Sequence, residues 1–306
     1  MALTSIAEAG PRKKEREDRI NILHAPMTDY KAEDQGLLLV FSDPGKHVSL
    51  EEFHDWYDNE HVPLRTSRFA EFLSAARYSV SSSVYSDGTS HSPADADANA
   101  SKTFDSRWAA IYSISSNDIF NQPRYTSLRA NRSEREAKLI GRIGVLDRRI
   151  YRLVWDSAQG ASASSAPRPA APESSSHAAP IVVLTSVHLA SSEKAKEYEQ
   201  WYDEEHSALL AKVPGWKRTR RFELVDAVIN GKDTIHGDGD RVPRILAMSE
   251  YTNPAFASSA EFQHATSTPW RNKVNSSEYI VTRERRVCEI YKAWEPEAAL
   301  KAADQL

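Results

Sequence analysis

Apolar and polar positions along the chain alternate between two periods, and each period predicts a different element. The unbroken apolar run 36–42 predicts a strand that is covered on both faces. An apolar stripe with three-to-four-residue spacing along 50–62 predicts a helix that Ser49 caps and Pro63 ends or kinks. Further strands are predicted over 72–80, 108–114 and 149–155, with a helical region between 117 and 143. This order, β-α-β-β-α-β, is the ferredoxin-like arrangement.

The second half of the chain repeats the order. Strands are predicted over 181–187, 216–225, 245–251 and 287–294, and helices over 193–212 and 255–275. The composition shifts to mostly Ser, Ala and Pro between the halves, which is typical of a flexible linker. The predicted organisation is a flexible arm (1–35), a ferredoxin-like repeat (36–155), a linker (156–180), a second repeat (181–296) and a tail (297–306). A Ser-, Ala- and Asp-rich stretch, 81–106, is predicted to be a long mobile loop.

The repeat predicts how the halves assemble. A four-stranded sheet with helices on one face leaves its other face bare, and two such sheets can cover each other. This explains why both first strands are apolar throughout. The predicted fold class is α+β, with two ferredoxin-like repeats packed sheet to sheet as an intramolecular pseudo-dimer. A further homodimer stays open.

Both predicted first helices carry the same string. Residues 56–61 read Trp-Tyr-Asp-Asn-Glu-His, and residues 201–206 read Trp-Tyr-Asp-Glu-Glu-His, so five of six positions are identical. Tryptophan, tyrosine and histidine are uncommon residues, and a chance repeat of this string is improbable. We therefore expect the two stretches to carry the chemistry of the chain or an essential part of its packing.

With Val62-Pro63 after the first copy, the repeated string resembles the EthD-like group of dimeric α/β-barrel proteins over residues 36–155 and 181–295. The resemblance implies a pocket between helices and sheet in each half, and a small aromatic or polyketide-derived ligand. It also implies cofactor-free lyase chemistry, of decarboxylase or cyclase type, in fungal secondary metabolism; other relatives have no established activity. Ser207-Ala208 departs from the pattern, which puts the second pocket in more doubt than the first.

The histidines of the string are the first candidates for chemistry. At α-helical spacing His61 lies three residues from Asp58, and His206 three from Asp203. A carboxylate beside an imidazole fixes its tautomer and favours the imidazolium, so these four residues are predicted to be catalytic. The alternative is that each histidine complements a helix dipole.

The predicted substrate-binding residues are Trp56, Tyr57, Glu60, Arg77, Trp201, Tyr202, Glu205 and Arg221. The aromatic members would wall a pocket or belong to the core. Glu60 and Glu205 fall on the apolar faces of their helices, where a carboxylate must pair or take up a proton. Arg77 and Arg221 would anchor a substrate carboxylate or pair with these glutamates and join helix to sheet.

Composition narrows the class of protein. The chain has 306 residues, of which 40% are hydrophobic and 27% charged, as in soluble globular proteins. Its net charge of −4 argues against a nucleic-acid partner, and no apolar run approaches the roughly 20 residues of a membrane span. The single cysteine, Cys288, excludes an intrachain disulfide, is predicted to be inert in the core, and fits a cytoplasmic location.

No metal or cofactor is predicted. His91, Asp95 and Asp97 lie in the predicted mobile loop, and residues 236–240 favour a turn over a calcium loop because the ligand spacing and closing glutamate are missing. Three functions are compatible with these patterns. They are a cofactor-independent enzyme (decarboxylase, cyclase or dehydratase type) acting on an aromatic or polyketide-type carbonyl or carboxylate substrate, a non-catalytic ligand-binding or stress-related protein, and a cofactor-free or haem-dependent oxygenase of the same superfamily.

Overall fold

The computed structural model describes residues 30–31, 34–86, 106–158, 178–234 and 242–303. Several predicted features lie outside these ranges: most of the N-terminal arm, residues 87–105 of the predicted loop, residues 159–177 of the predicted linker, His91, Asp95, Asp97 and residues 236–240.

The described elements follow the predicted order in both halves. The first half contains β1 Gly36–Asp43, α1 Leu50–Trp56, the π-helical turn π1 Tyr57–His61, α2 Val62–Thr66, β2 Phe72–Ser86, β3 Trp108–Ile114, a 3-10 turn Asn117–Asn121, α3 Pro123–Ala130, α4 Glu134–Ile140 and β4 Val145–Asp156. The second half contains β5 Ile181–Leu189, α5 Ser192–Trp201, π2 Tyr202–His206, α6 Ser207–Leu210, β6 Trp216–Asn230, β7 Ile245–Tyr251, a 3-10 turn Pro254–Ser258, α7 Ala260–Ala265, α8 Pro269–Val274, β8 Ile280–Trp294 and a final helix, α9 Glu297–Ala303.

The eight strands form one closed barrel in the order β1-β3-β2-β8-β5-β7-β6-β4. Each half contributes a four-stranded sheet, and antiparallel pairing of β2 with β8 and of β4 with β6 joins the two sheets. This joining explains why β2 is longer than predicted. Residues 82–86, expected in a loop, pair with residues 283–287 of the other half. A local sequence pattern does not contain information about this distant partner. No helix in the described ranges is long and apolar enough to cross a membrane.

Strand β1 shows how the core is divided. Leu37, Leu39 and Phe41 pack inside the barrel against the second half, while Leu38 and Val40 pack under the helices of the first half. The expectation that one face of this strand meets helices and the other meets the opposite sheet is confirmed. The chain is an intramolecular pseudo-dimer.

A connected group of four charged side chains lies within the barrel, and the sequence analysis missed it. Arg149 donates from Nε to both carboxylate oxygens of Asp147 at 3.0 Å, and from Nη1 to Glu284 at 2.7 Å. Arg286 donates to the same Glu284 oxygen at 2.8 Å. All four residues are at most 2% exposed. The repeated strings Asp-Arg-Arg-Ile (147–150) and Glu-Arg-Arg-Val (284–287) were the available signal.

A close approach at the end of β6 makes Gly231 a sensitive position. Its φ is +134°, and a Cβ there would lie 2.1 Å from the carbonyl oxygen of Gly144. Gly231→Ala is expected to lower the free energy of unfolding by about 2–3 kcal/mol in urea denaturation. Gly141→Ala is the matched control, because φ there is −66° and the nearest contact is an ordinary 3.4 Å. Equal effects of the two substitutions would contradict this prediction.

Candidate functional site

The repeated string folds as a π-helical turn in both halves. The Val62 N–H donates to the carbonyl of Tyr57, five residues back, instead of four. Residues five apart therefore share a face, and the Trp56 and His61 rings lie 4.4 Å apart between centroids. The second half has the same turn although Ala208 replaces Pro63, so proline is not its cause. The helical backbone continues through Pro63, so the helix does not end there.

Glu136, rather than Asp58, is the carboxylate that contacts His61. The His61 Nδ1 and the Glu136 Oε1 lie 2.8 Å apart. Glu136 is in the first turn of α4, where its own backbone N–H donates to the capping hydroxyl of Ser133 at 2.9 Å. The sequence analysis missed this residue, although the spacing Ser133-x-x-Glu136 is a helix-start signal.

The His61 imidazole is neutral at pH 7. Burial lowers its pKa to about 4 with help from the Arg65 charge, against the opposing effect of Glu136. Burial by itself raises the pKa of Glu136, but the hydrogen bond with His61 brings it below its usual value. An ionised carboxylate only accepts, so Nδ1 carries the proton and Nε2 keeps its lone pair. The expectation of an imidazolium is wrong, because desolvation outweighs the carboxylate.

Asp58 is held by other partners. Its Oδ1 accepts from Arg77 at 2.8 Å, and its Oδ2 accepts from the Tyr291 hydroxyl at 3.1 Å and from Lys292 at 3.2 Å. Arg77 is 1% exposed, and its guanidinium carbon lies 4.4 Å from the centroid of the Tyr57 ring. The arrangement joins the first helix to β2 and, through β8, to the second half of the chain.

The second half repeats this arginine–aspartate pair, with Arg221 donating to Asp203. Pairing with Glu60 and Glu205 was one of the two roles considered for Arg77 and Arg221, and it is wrong in both halves. In the first half Arg77 also contacts His54 Nδ1 at 3.0 Å, four residues before Asp58, so this face of the helix keeps ordinary α-helical spacing.

The glutamates contact the residues that cap α4 and α8. Glu60 accepts a hydrogen bond from the hydroxyl of Ser133. Glu205 accepts one from the hydroxyl of Thr268 at 2.6 Å and another from the Trp201 indole at 3.0 Å. Both carboxylates therefore lie at the junction of two helices, away from the sheet.

The aromatic candidates are all buried. Trp56, Tyr57, Trp201 and Tyr202 are at most 4% exposed and pack between helices and sheet. A cavity of about 30 Å³ lies elsewhere, inside the barrel, and none of the predicted site residues lines it.

Polar atoms of the first aromatic core are left without partners. In the described part of the chain, the Trp56 indole and the Tyr112 hydroxyl make no hydrogen bond, and Ser42 is a polar neighbour of the Tyr57 hydroxyl. Phe53 occupies the position three residues before Trp56 and offers no polar atom. Buried donors without partners are costly.

The second core differs from the first at the corresponding positions. Tyr198 stands three residues before Trp201, and its ring lies 5.4 Å from that of Tyr202 between centroids. The Trp201 indole donates to Glu205. The two halves share their string but differ in how its polar atoms are satisfied.

No group of three His, Cys, Asp or Glu residues within the described ranges is placed to hold a metal ion. Cys288 is fully buried, and burial raises the pKa of its thiol to about 12, so it is inert, as predicted.

The eight-stranded barrel and the two β-α-β-β-α-β halves decide the fold. The chain has the dimeric α/β-barrel fold. A scan of protein-family models and a search of curated proteins gave no match. Solved structures with a similar backbone include an anthrone oxidase-like protein, at 10% identity and a TM-score of 0.47, covering 89% of this chain and 95% of that chain.

Two further solved structures are similar to this dimeric α/β barrel. A proposed monooxygenase from Fusobacterium nucleatum has 10% identity and a TM-score of 0.47, over 86% of this chain and 94% of that chain. A proposed chlorite dismutase has 12% identity and a TM-score of 0.43, over 88% of this chain and 99% of that chain. At this level of identity the similarity concerns the backbone and says nothing about the reaction of this chain.

Proposed function

We propose that the chain is a cofactor-independent small-molecule enzyme and that His61 is its general base. The observation that carries the proposal is the His61–Glu136 contact, which holds a neutral imidazole in one tautomer with Nε2 available. Within the described residues Nε2 has no hydrogen-bond partner, and the His61 side chain is 13% exposed. This is the orienting arrangement by which a carboxylate serves a catalytic histidine.

The neighbouring donors support a carbonyl substrate. The Trp56 and Tyr57 rings contact the His61 ring, and Tyr112 belongs to the same buried cluster as these two residues. The Trp56 indole and the Tyr112 hydroxyl have no partner in the described chain. Neutral donors of this kind bind a carbonyl oxygen and stabilise the enolate that forms when an adjacent proton is removed. His61 Nε2 would take that proton, Glu136 would stabilise the resulting imidazolium, and Nε2 would return the proton to the product.

The substrate class follows from the same contacts. Arg77 is committed to Asp58, so the first core offers neutral donors more readily than an anchor for a carboxylate. This supports cyclisation or dehydration of an aromatic or polyketide-type carbonyl compound over decarboxylation. The proposal gives a structural role, instead of a catalytic one, to Asp58, Asp203 and His206.

The proposal is tested by proton exchange, which needs no knowledge of the natural substrate. Aromatic ketones and 1,3-dicarbonyl compounds in D₂O would be followed by NMR for enzyme-dependent deuterium uptake at the carbon beside the carbonyl. His61→Gln is expected to lower the rate by at least about 10²-fold, because the base is removed. His206→Gln is the matched control from the same position of the other half and should leave the rate unchanged.

A non-catalytic role is the second candidate, and one observation favours it. The aromatic rings beside His61 are tightly packed, so a guest must displace π1 or α4 to enter. If His61→Gln and His206→Gln both lower the melting temperature and no probe exchanges faster than in buffer, the repeated string is packing and the enzyme proposal is overturned.

A further inference from the structure

Corresponding residues surround the histidines of the two halves. Ser133 caps α4 and Thr268 caps α8, and each hydroxyl also donates to the glutamate that precedes the histidine, Glu60 or Glu205. In each half the capping oxygen accepts from the backbone N–H three residues later. The caps therefore align α4 with α8 residue by residue.

The third residue after the cap differs between the halves. It is Glu136 in the first half and Arg271 in the second. The Glu136 carboxylate binds His61 Nδ1, whereas His206 Nδ1 has no partner in the described chain although His206 is only 8% exposed. Where the first half has an acceptor bound to its histidine, the second has an arginine, whose Nη1 donates to Asn272 at 3.3 Å.

We propose that the residue three positions after this cap decides which histidine works as a base: Glu136 positions His61, and Arg271 leaves His206 without its dyad. A carboxylate at position 271 would rebuild the dyad in the second half. The role of His61 as a base rests on the function proposed above. The tautomer of each histidine does not depend on that function.

The charges around each ring agree with this assignment. His61 faces Glu136, which favours its protonation, with Arg65 and Arg132 opposing. Burial lowers the pKa of His206 most, and Arg271 lowers it further. The Ala265 carbonyl raises it. An arginine donates only, so it favours a lone pair on the nearest imidazole nitrogen.

The test is nitrogen NMR of the full-length protein with labelled histidine at pH 7. In the unmodified protein, the His61 Nδ1 resonance is expected in the protonated range and the His206 Nδ1 resonance in the lone-pair range. Arg271→Glu should move the His206 Nδ1 resonance into the protonated range. Arg271→Gln removes the cation without adding a carboxylate and should not fix that tautomer.

Two results would overturn the inference: an Nδ1-protonated His206 in the unmodified protein, or identical His206 resonances in Arg271→Glu and Arg271→Gln. Glu136→Gln provides an independent readout in the first half, where the His61 Nδ1 proton should exchange with water at least about tenfold faster. An unchanged exchange rate would also count against the positioning role.

Failure of the proposed function gives a different pattern. If the NMR shifts appear as expected but His61→Gln leaves deuterium uptake unchanged, the dyad assignment stands and the enzyme proposal falls. If His61→Gln abolishes uptake and the shifts do not appear, the enzyme proposal stands and the role of position 271 falls.

Discussion

Arg149→Met is expected to lower the free energy of unfolding by about 3–5 kcal/mol, the largest effect we anticipate for a single substitution. The substitution leaves Asp147 without its bidentate partner and removes one of two arginines from Glu284, while both carboxylates stay inside the barrel at no more than 2% exposure. A buried charge that loses its partner keeps its full desolvation cost. Urea denaturation followed by tryptophan fluorescence measures the change.

Arg107→Met is the control for this prediction. Arg107 also makes two hydrogen bonds to one carboxylate, that of Asp43, but its side chain is 61% exposed. Solvent screening limits such a pair to about 1 kcal/mol or less. If Arg149→Met costs no more than Arg107→Met, the buried network contributes little to stability and the assignment is wrong.

Acidification from pH 6.5 to pH 4.5 is expected to destabilise the fold by on the order of 5 kcal/mol. The unfolded chain protonates His61 and His206 near pH 6.5. The folded chain does so only near pH 4 and pH 3, because burial lowers the pKa of both rings and Arg65 and Arg271 lower them further. The unfolded state therefore binds more protons in this window, and stability falls as the pH falls.

Urea denaturation at half-unit pH steps measures this loss. The pKa of His54 and of His188 is also lowered, chiefly by burial, and their contribution has the same sign. His61→Gln and His206→Gln should each remove roughly half of the principal loss, since each ring contributes about 1.4 kcal/mol per pH unit. An equal pH slope in the unmodified protein and in the double variant would refute the prediction.

Local sequence patterns predicted the order of the elements and the two buried faces of β1, because hydrophobic period and helix capping are properties of short segments. They did not predict the length of β2, because its last residues are in a strand only through their pairing with β8. The charged pair at 147 and 149 shows the same limit. On a sheet with one wet face, Asp147 and Arg149 would point to solvent; only closure of the barrel makes that face an interior.

The sequence by itself determined that this protein is a doubled ferredoxin-like chain with an aromatic, acidic and histidine string on each first helix. That information is local and occurs twice. Tertiary structure alone decided the partner of each histidine. The π turn rotates the string by one residue, and Glu136 arrives from a helix 75 residues further along the chain. The protonation state of an ionisable side chain depends on its surroundings in space. The packing of α4 therefore determines the tautomer of His61.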